Sequence, residues 1–169
     1  MLRFGLGLTL TCLMLTFAAC GGGSGDKTFE RGEVAFSYPE EWDERTLEGG
    51  PVTPDALFAT VFAPGEGLNG LIFEINEGPI SVTESNLDAV LQDIAAGLDE
   101  STEGPTRTSV AGLPALSFES HPQSDLTRAV TFAFDGKTWY AFNCGYTAEL
   151  AAEIKQGCEQ VLSSFEVQN

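Results

Sequence analysis

Apolar and polar residues alternate, or run together as short apolar segments, along much of the chain after about residue 30. Such segments are typical of half-buried or buried β-strands. They are residues 34–38, 57–63, 71–76, 106–110, 113–120, 127–134 and 138–144. The dipeptides Ala111-Gly112 and Asp135-Gly136 each separate two neighbouring segments by the length of a tight hairpin turn. The pattern therefore predicts a sheet in which neighbouring strands pair antiparallel.

Two further segments repeat apolar residues with the period of an amphipathic helix. The first stripe consists of Leu87, Val90, Leu91, Ile94, Ala95 and Leu98. Ser85, followed by Asp88, predicts a capped start for this helix, and Gly97 comes near its end. The second helix is predicted over about residues 147–163, with the stripe Leu150, Ile154, Cys158, Val161, Leu162 and Phe165. Gly157 is expected to weaken it by up to ~1 kcal/mol.

The two stripes must be buried, so each helix is expected to cover a face of the sheet. Trp42 is expected to fold back over the core, to which the 12 Phe residues also contribute. The predicted fold class is α+β, with helices packed on six to seven antiparallel strands. No internal repeat is visible, and 169 residues suit one domain.

The first residues form a separate unit with a different character. Arg3 precedes an uncharged, largely apolar run that is too short to span a bilayer and ends in Ala18, Ala19 and Cys20. This pattern resembles the lipobox of bacterial lipoproteins, which implies cleavage before Cys20 and a lipid on its thiol. An ordinary secretory signal with a chance cysteine, or an uncleaved short anchor, is the alternative.

We therefore expect three parts in the chain. Residues 1–19 are the lipoprotein signal peptide, residues 20–27 are the lipidated cysteine and a glycine-rich tether, and residues 28–169 are a single domain. The expected location is the extracytoplasmic face of a bacterial cell membrane, to which the N-terminal lipid anchors the protein.

The cysteine count agrees with an oxidising compartment. Cys12 lies in the signal peptide and Cys20 is the expected lipidation site, which leaves Cys144 and Cys158. A structural disulfide between these two would join the last predicted strand to the last helix. Two buried free thiols or a redox pair are the alternatives, although a redox pair usually has Cys-x-x-Cys spacing.

The charge balance excludes several kinds of partner and site. Asp and Glu number 25 against eight Lys and Arg, a formal net charge of -17, so the chain repels nucleic acid. His121 is the single histidine, which rules out metal sites built from several histidines. No P-loop, zinc motif or recognisable catalytic constellation is present in the sequence.

Three segments together resemble the PsbP-like superfamily. They are VAFSYPEEW at residues 34–42, AGLPALSFE at residues 111–119, and the ending from Trp139 to Ser163-Ser164-Phe165. The resemblance implies an α/β/α sandwich around an antiparallel sheet and is nearest to bacterial lipoprotein members of unknown function. Plant members are photosystem II subunits that assist calcium and chloride retention, and other members bind protein partners. The resemblance transfers no site residue to this chain.

Three local patterns invite a chemical interpretation. Residues 65–70, GEGLNG, match G-x-G-x-x-G, but a strand rather than a helix is predicted after them, which favours a hairpin loop over a dinucleotide site. His121 lies near Ser120, Ser124 and Asp125, yet no Gly-x-Ser-x-Gly elbow exists, which favours an exposed loop histidine. The acidic run around Trp42 lacks calcium-loop spacing and is interpreted as solvated. It consists of Glu40, Glu41, Asp43, Glu44 and Glu48.

The leading hypothesis is a non-enzymatic, membrane-anchored module that binds an envelope protein or component. The alternative is a carrier of a small molecule or ion, with a pocket between sheet and helix. A hydrolase centred on His121 is the least favoured hypothesis. No catalytic, cofactor-binding or metal-binding residue is assigned.

Overall fold

A computed structural model describes residues 25–48, 50–54, 56–67, 69–98 and 102–168. The expected signal peptide, with Cys12, the expected lipidation site Cys20 and most of the expected tether lie outside the described residues. Within these ranges the elements are β1 (Lys27–Arg31), β2 (Val34–Tyr38), β3 (Asp43–Arg45), β4 (Phe58–Ala63), β5 (Gly70–Val82), α1 (Leu87–Gly97), β6 (Thr102–Val110), β7 (Leu113–Gln123), β8 (Leu126–Thr147), α2 (Ala151–Ser164) and β9 (Glu166–Val167).

The strands form two antiparallel sheets. The large sheet has the order β3-β4-β5-β8-β7-β6, and the small sheet has the order β1-β2-β9. This architecture confirms the predicted α+β fold class. The large sheet contains six of the seven predicted strand segments and adds β3. The seventh, β2, lies instead in the small sheet with β1 and β9, which the alternation of the sequence does not indicate. β1 begins at Lys27, the last residue assigned to the tether.

β8 is a hairpin rather than one extended strand. Its 22 residues would span roughly 70 Å if they were straight, yet the rings of Phe132 and Trp139 lie 5.3 Å apart. The chain reverses at Asp135-Gly136, where Gly136 has a φ of 64°. The first arm pairs with β7 and the second arm with β5. The predicted turn is therefore present, and the large sheet has seven strands when both arms are counted.

Helix α2 and the small sheet cover one face of the large sheet. Phenylalanine rings from both layers meet there, and Phe73 touches Phe36 at 5.2 Å and Phe165 at 6.3 Å between ring centroids. Trp42 is fully buried in this core, as expected. Along each strand, side chains that point into this core alternate with side chains that point to the opposite face. The period-two pattern of the sequence therefore predicts the core residues correctly.

Helix α1 covers part of the opposite face. Leu87 is fully buried against Leu116 and Phe134, with Phe132 and Trp139 packed beside them. The helices thus lie on opposite faces of the sheet, as in the predicted sandwich.

The predicted cap of α1 is wrong. Asn86, not Ser85, precedes the helix, and its side chain makes no capping hydrogen bond. Its Oδ1 instead accepts from the Thr83 amide at 2.8 Å, and the Asp88 carboxylate pairs with Arg107 at 2.9 Å. The two side chains expected to close the helix end therefore have other contacts: the Ser85 hydroxyl lies 2.8 Å from the Thr83 hydroxyl, and Asp88 is in the ion pair.

Helix α2 begins later than predicted, at Ala151. Thr147 stays in β8 because its amide donates to Asn69 Oδ1 at 2.8 Å, and residues 148–150 form a turn. Cys158 of α2 and Cys144 of β8 form a disulfide that fastens the helix to the sheet. No helix in the described part of the chain is both long and apolar enough to cross a membrane.

Candidate binding groove

One row of side chains crosses five neighbouring strands on the face opposite α2. Arg45 of β3 pairs with Val61 of β4, Val61 with Ile72 of β5, and Ile72 with Asn143 in the second arm of β8. Arg128 follows in the first arm. Directly paired residues of antiparallel strands point to the same face. The row therefore has a guanidinium at each end, two apolar side chains, and an amide beside Arg128.

This row forms the floor of a groove of about 980 Å³, which we call the open-face groove. The neighbouring row along the strands consists of Ala63, Gly70 and Gly145, whose small size leaves the floor deep. Two loops make the walls, one at residues 46–48 and the other the glycine-rich loop between β4 and β5. Strands and loops line the groove, with no helix residue among the described lining. The carrier hypothesis expects a pocket between sheet and helix, and this groove is a different site, on the open face of the sheet.

The glycine-rich loop is a hairpin connection, as the sequence indicates, and not a dinucleotide fingerprint. It joins β4 to β5, which pair antiparallel from Phe62 and Leu71 onwards. Gly70 has a φ of 147°, and a Cβ there would lie 2.5 Å from the Phe62 carbonyl oxygen. Asn69 Oδ1 accepts hydrogen bonds from the amide and hydroxyl of Thr147. These contacts fix the loop against the end of β8, so this wall of the groove is held in place.

The two guanidinium groups of the groove differ in their partners. Arg45 donates to the Gly65 carbonyl at 2.8 Å and lies 3.9 Å from the Asp43 carboxylate. Arg128 is half-buried, and its guanidinium makes no hydrogen bond or ion pair with any other described residue. Glu48 and Glu66 line the rim of the groove and are exposed. Within the described ranges Arg128 is therefore a cation without a charge partner, in a chain of net charge -17.

A buried carboxylate follows the groove floor along β5. Glu74 lies two residues beyond Ile72 on the same face and is 2% exposed. It accepts hydrogen bonds from the Val52 amide at 2.6 Å, the Thr53 amide at 3.2 Å and the Thr53 hydroxyl at 2.6 Å. These bonds hold residues 52 and 53 over the sheet. The sequence signal for this role is an acid that stands among apolar residues at an inward position of the alternating strand LIFEIN.

His121 does not form a catalytic set. It lies in β7 rather than in the expected loop, since β7 continues to Gln123, and it is exposed as expected. Its Nδ1 is 3.2 Å from the Thr127 hydroxyl. Asp125 is exposed in the turn after β7 and makes no contact with the imidazole. The hydrolase hypothesis therefore lacks the required geometry among the described residues.

The acidic run around Trp42 is only partly the solvated loop expected, because it contains β3. Asp43 pairs with Lys27 at 3.2 Å, and the Glu44 carboxylate lies 3.4 Å from the Thr60 hydroxyl. In the part of the chain that the structure describes, no three His, Cys, Asp or Glu side chains are grouped to hold a metal ion.

A second cluster of polar groups lies at the other face of β8. The Tyr146 hydroxyl donates to Glu119 at 3.1 Å, and the Lys155 ammonium lies 4.9 Å from the centre of the tyrosine ring. Burial raises the pKa of the Tyr146 hydroxyl. The contact with Lys155 lowers this pKa, and the contact with Glu119 raises it further. The hydroxyl is therefore neutral at physiological pH and serves as a structural donor.

Solved structures share this fold at low sequence identity. The solution structure of cyanobacterial PsbP (CyanoP) from Synechocystis sp. PCC 6803 matches with a TM-score of 0.57 and 16% identity, over 89% of this chain and 98% of that one. A crystal structure from Bacteroides thetaiotaomicron VPI-5482 matches with a TM-score of 0.58 and 12% identity, over 85% of this chain and 48% of the other. These matches show a PsbP-like fold. Neither a family model nor a curated protein matches the sequence.

Proposed function

We propose that this protein is a non-enzymatic binding module, anchored by a lipid on Cys20 to the extracytoplasmic face of a bacterial membrane. The open-face groove is its binding surface, and the partner is a protein or another component of the cell envelope. The observation that carries the proposal is the groove itself, in which Val61 and Ile72 lie between two guanidinium groups. Its described residues include no nucleophile paired with a base.

The start of the domain at Lys27 lies close to one end of the groove, which supports a partner located near the membrane. Lys27, at the start of β1, pairs with Asp43 at 3.2 Å, and Asp43 lies 3.9 Å from Arg45 at one end of the groove. Six residues separate Lys27 from Cys20, a span of at most about 25 Å. A lipid on Cys20 would therefore hold this end of the groove close to the membrane surface.

Site-specific crosslinking in cells tests this proposal. A photo-reactive amino acid replaces Ile72 in the groove floor of the full lipidated chain. The matched control places it at Ile80, which lies in the same strand, is 57% exposed and lies outside the groove. We expect one envelope protein to crosslink at position 72 and not at position 80. Identical products at both positions, or none at position 72, would contradict the proposal.

The anchor is tested separately with Cys20→Ser. This variant lacks the thiol that would carry the lipid, so we expect it to leave the membrane fraction and to lose most of the crosslink at position 72. A Cys12→Ser variant is the matched control, because Cys12 belongs to the expected signal peptide. An unchanged membrane fraction for Cys20→Ser would refute lipidation.

A carrier of a small molecule remains the second candidate, because the groove volume lies within the range of small-molecule sites, roughly 300–1,000 Å³. A carrier binds its ligand only in the native state, so the right ligand raises the melting temperature. This candidate predicts such a shift without any crosslinked protein at position 72.

A further inference from the structure

We propose that the open-face groove recognises a peptide segment of the partner that presents one carboxylate beside apolar side chains, and that Arg128 binds this carboxylate. The inference rests on the proposed function, since it specifies what the groove would bind. It follows from the environment of Arg128, the neighbouring donors and apolar floor, the charges on the rim, and the length of the groove.

Arg128 differs from the other cations of the described chain. Four of them lie in ion pairs, and Arg31 stacks on the Phe58 ring at 3.8 Å; the paired residues are Lys27, Arg45, Arg107 and Lys155. Lys137 has no ion-pair, hydrogen-bond or ring partner among the described residues either, but it is exposed near the tip of the β8 hairpin, outside the groove. Half-burying a charge without a partner is unfavourable, and an anion bound in the groove would offset that cost.

The surroundings of Arg128 fit a carboxylate joined to an apolar group. Asn143 lies beside it in the groove, and its amide makes no hydrogen bond with another described residue. A guanidinium and an amide N–H together present the donors that bind both oxygens of a carboxylate. Ile72 and Val61 continue the floor from Asn143 and would contact the apolar part of the ligand.

The rim limits the charge of the ligand. Glu48 and Glu66 are exposed beside the groove, and the chain as a whole carries a formal charge of -17. A polyanion would meet both carboxylates and the field of the whole molecule. A ligand with a single carboxylate would bind the Arg128 guanidinium through that group, and its uncharged part would lie beside the rim carboxylates without repulsion.

The extent of the row favours a peptide over a small acid. From Arg45 to Arg128 the row crosses four strand spacings, roughly 19 Å. An extended peptide of about five residues has this length, at ~3.4 Å per residue. A short-chain acid would occupy only the end of the groove at Arg128.

Binding measurements on the full lipidated chain in nanodiscs test the inference. The probe is a pentapeptide, Ser-Gly-Val-Leu-Val, labelled with rhodamine at its N-terminus and carrying a free C-terminal carboxylate. The same peptide with a C-terminal amide is the neutral control, and empty nanodiscs give the background. We expect the acid to bind at least about tenfold more tightly than the amide, the effect of one charge-assisted hydrogen-bonded pair.

The variants separate Arg128 from general charge effects. Arg128→Ala should remove the preference for the acid, and Lys137→Ala, which removes a cation outside the groove, should leave it unchanged. Glu66→Gln should tighten binding of the acid and not of the amide. Equal unfolding midpoints would show that Arg128→Ala folds normally. Arg128→Lys, which keeps the charge but not the fork of donors, should retain part of the preference.

Three outcomes would overturn the inference: equal binding of acid and amide, a preference that survives Arg128→Ala, or no binding of either peptide. Saturable binding of octanoate without binding of the peptide would also overturn it, in favour of a carrier. If the peptide does not bind but the crosslink at position 72 is retained, this inference fails and the proposed function stands. Loss of the crosslink removes the proposed function.

Discussion

The indole of Trp42 packs directly on the backbone of helix α2 at Gly157. A Cβ at position 157 would overlap the six-membered ring, with Cη2 at 2.7 Å and Cε2 at 2.9 Å. Trp42 is fully buried, and its position depends on this glycine. Gly157 therefore lowers the intrinsic helix propensity of α2, as the sequence indicates, and in return allows the close packing of the helix on Trp42.

Gly157→Ala should destabilise the protein despite the better helix propensity of alanine. Overpacking of a core typically costs about 1–3 kcal/mol, against a gain of up to ~1 kcal/mol from propensity. We expect a net loss of about 1–2 kcal/mol in urea unfolding. Gly97→Ala is the matched control, because a Cβ there has open space around it. A Gly157→Ala variant as stable as Gly97→Ala would refute the packing argument.

Ala111→Asn should stabilise the turn between β6 and β7. Ala111 has a φ of 52° and Gly112 a φ of 79°, so both central residues of this two-residue turn are left-handed. Asn-Gly is the preferred pair for such a turn, whereas alanine is strained there by about 1 kcal/mol. We expect a gain of about 1 kcal/mol, measured by thermal unfolding. Gly112→Ala should lower the melting temperature, and an unchanged value for both variants would contradict the strain.

Reduction of the Cys144–Cys158 disulfide should cost about 3 kcal/mol, the value for a closed loop of about 15 residues in the chain-entropy model. The bond fastens α2 to β8, so its loss frees the helix that covers the core. Denaturant unfolding with and without reductant measures the cost. Both thiols should react with an alkylating reagent only after reduction and unfolding. Labelling of the native, unreduced protein would show that they are free.

Stability should fall in alkaline solution because of Tyr146. Burial raises its pKa in the native state above the ordinary value of about 10. The neutral Tyr146 hydroxyl therefore contributes fully to the free energy of unfolding below about pH 10. This contribution is lost as pH rises through the raised native pKa, because the tyrosine ionises at a lower pH in the unfolded chain. Unfolding midpoints between pH 8 and pH 11 measure this. Tyr146→Phe should reduce the alkaline loss, and the same pH dependence in both proteins would assign it to other groups.

The strands and helices that bury apolar residues could be predicted from the sequence, because the period of their apolar residues shows directly which side packs against the core. Residues 34–38 and the apolar stripe from Leu87 are examples. β1 and β3 could not, since KTFER and DER are mostly polar and become strands only by pairing with β2 and β4. Tertiary context decides such segments.

The groove depends on information that a single sequence does not carry. Arg45, Ile72 and Arg128 are far apart in the chain and meet because of the register of five strands. Alternation predicts that Ile72 and Glu74 share a face, but not that Glu74 binds residues 52 and 53. Cys144 and Cys158 are easier to pair, because they are the two cysteines outside the expected signal peptide and the expected lipidation site.

Asn143 and Cys144 are adjacent in β8 and point to opposite faces of the sheet. The first lies in the groove, and the second is covalently joined to α2. Any movement of the second arm of β8 that would change the shape of the groove floor must therefore also move helix α2. Since the bond forms only where thiols are oxidised, a chain kept in reducing surroundings would have a more deformable groove floor than the disulfide-bonded chain. The shape of the groove floor is thus coupled to the oxidation of two thiols through two adjacent residues of one strand.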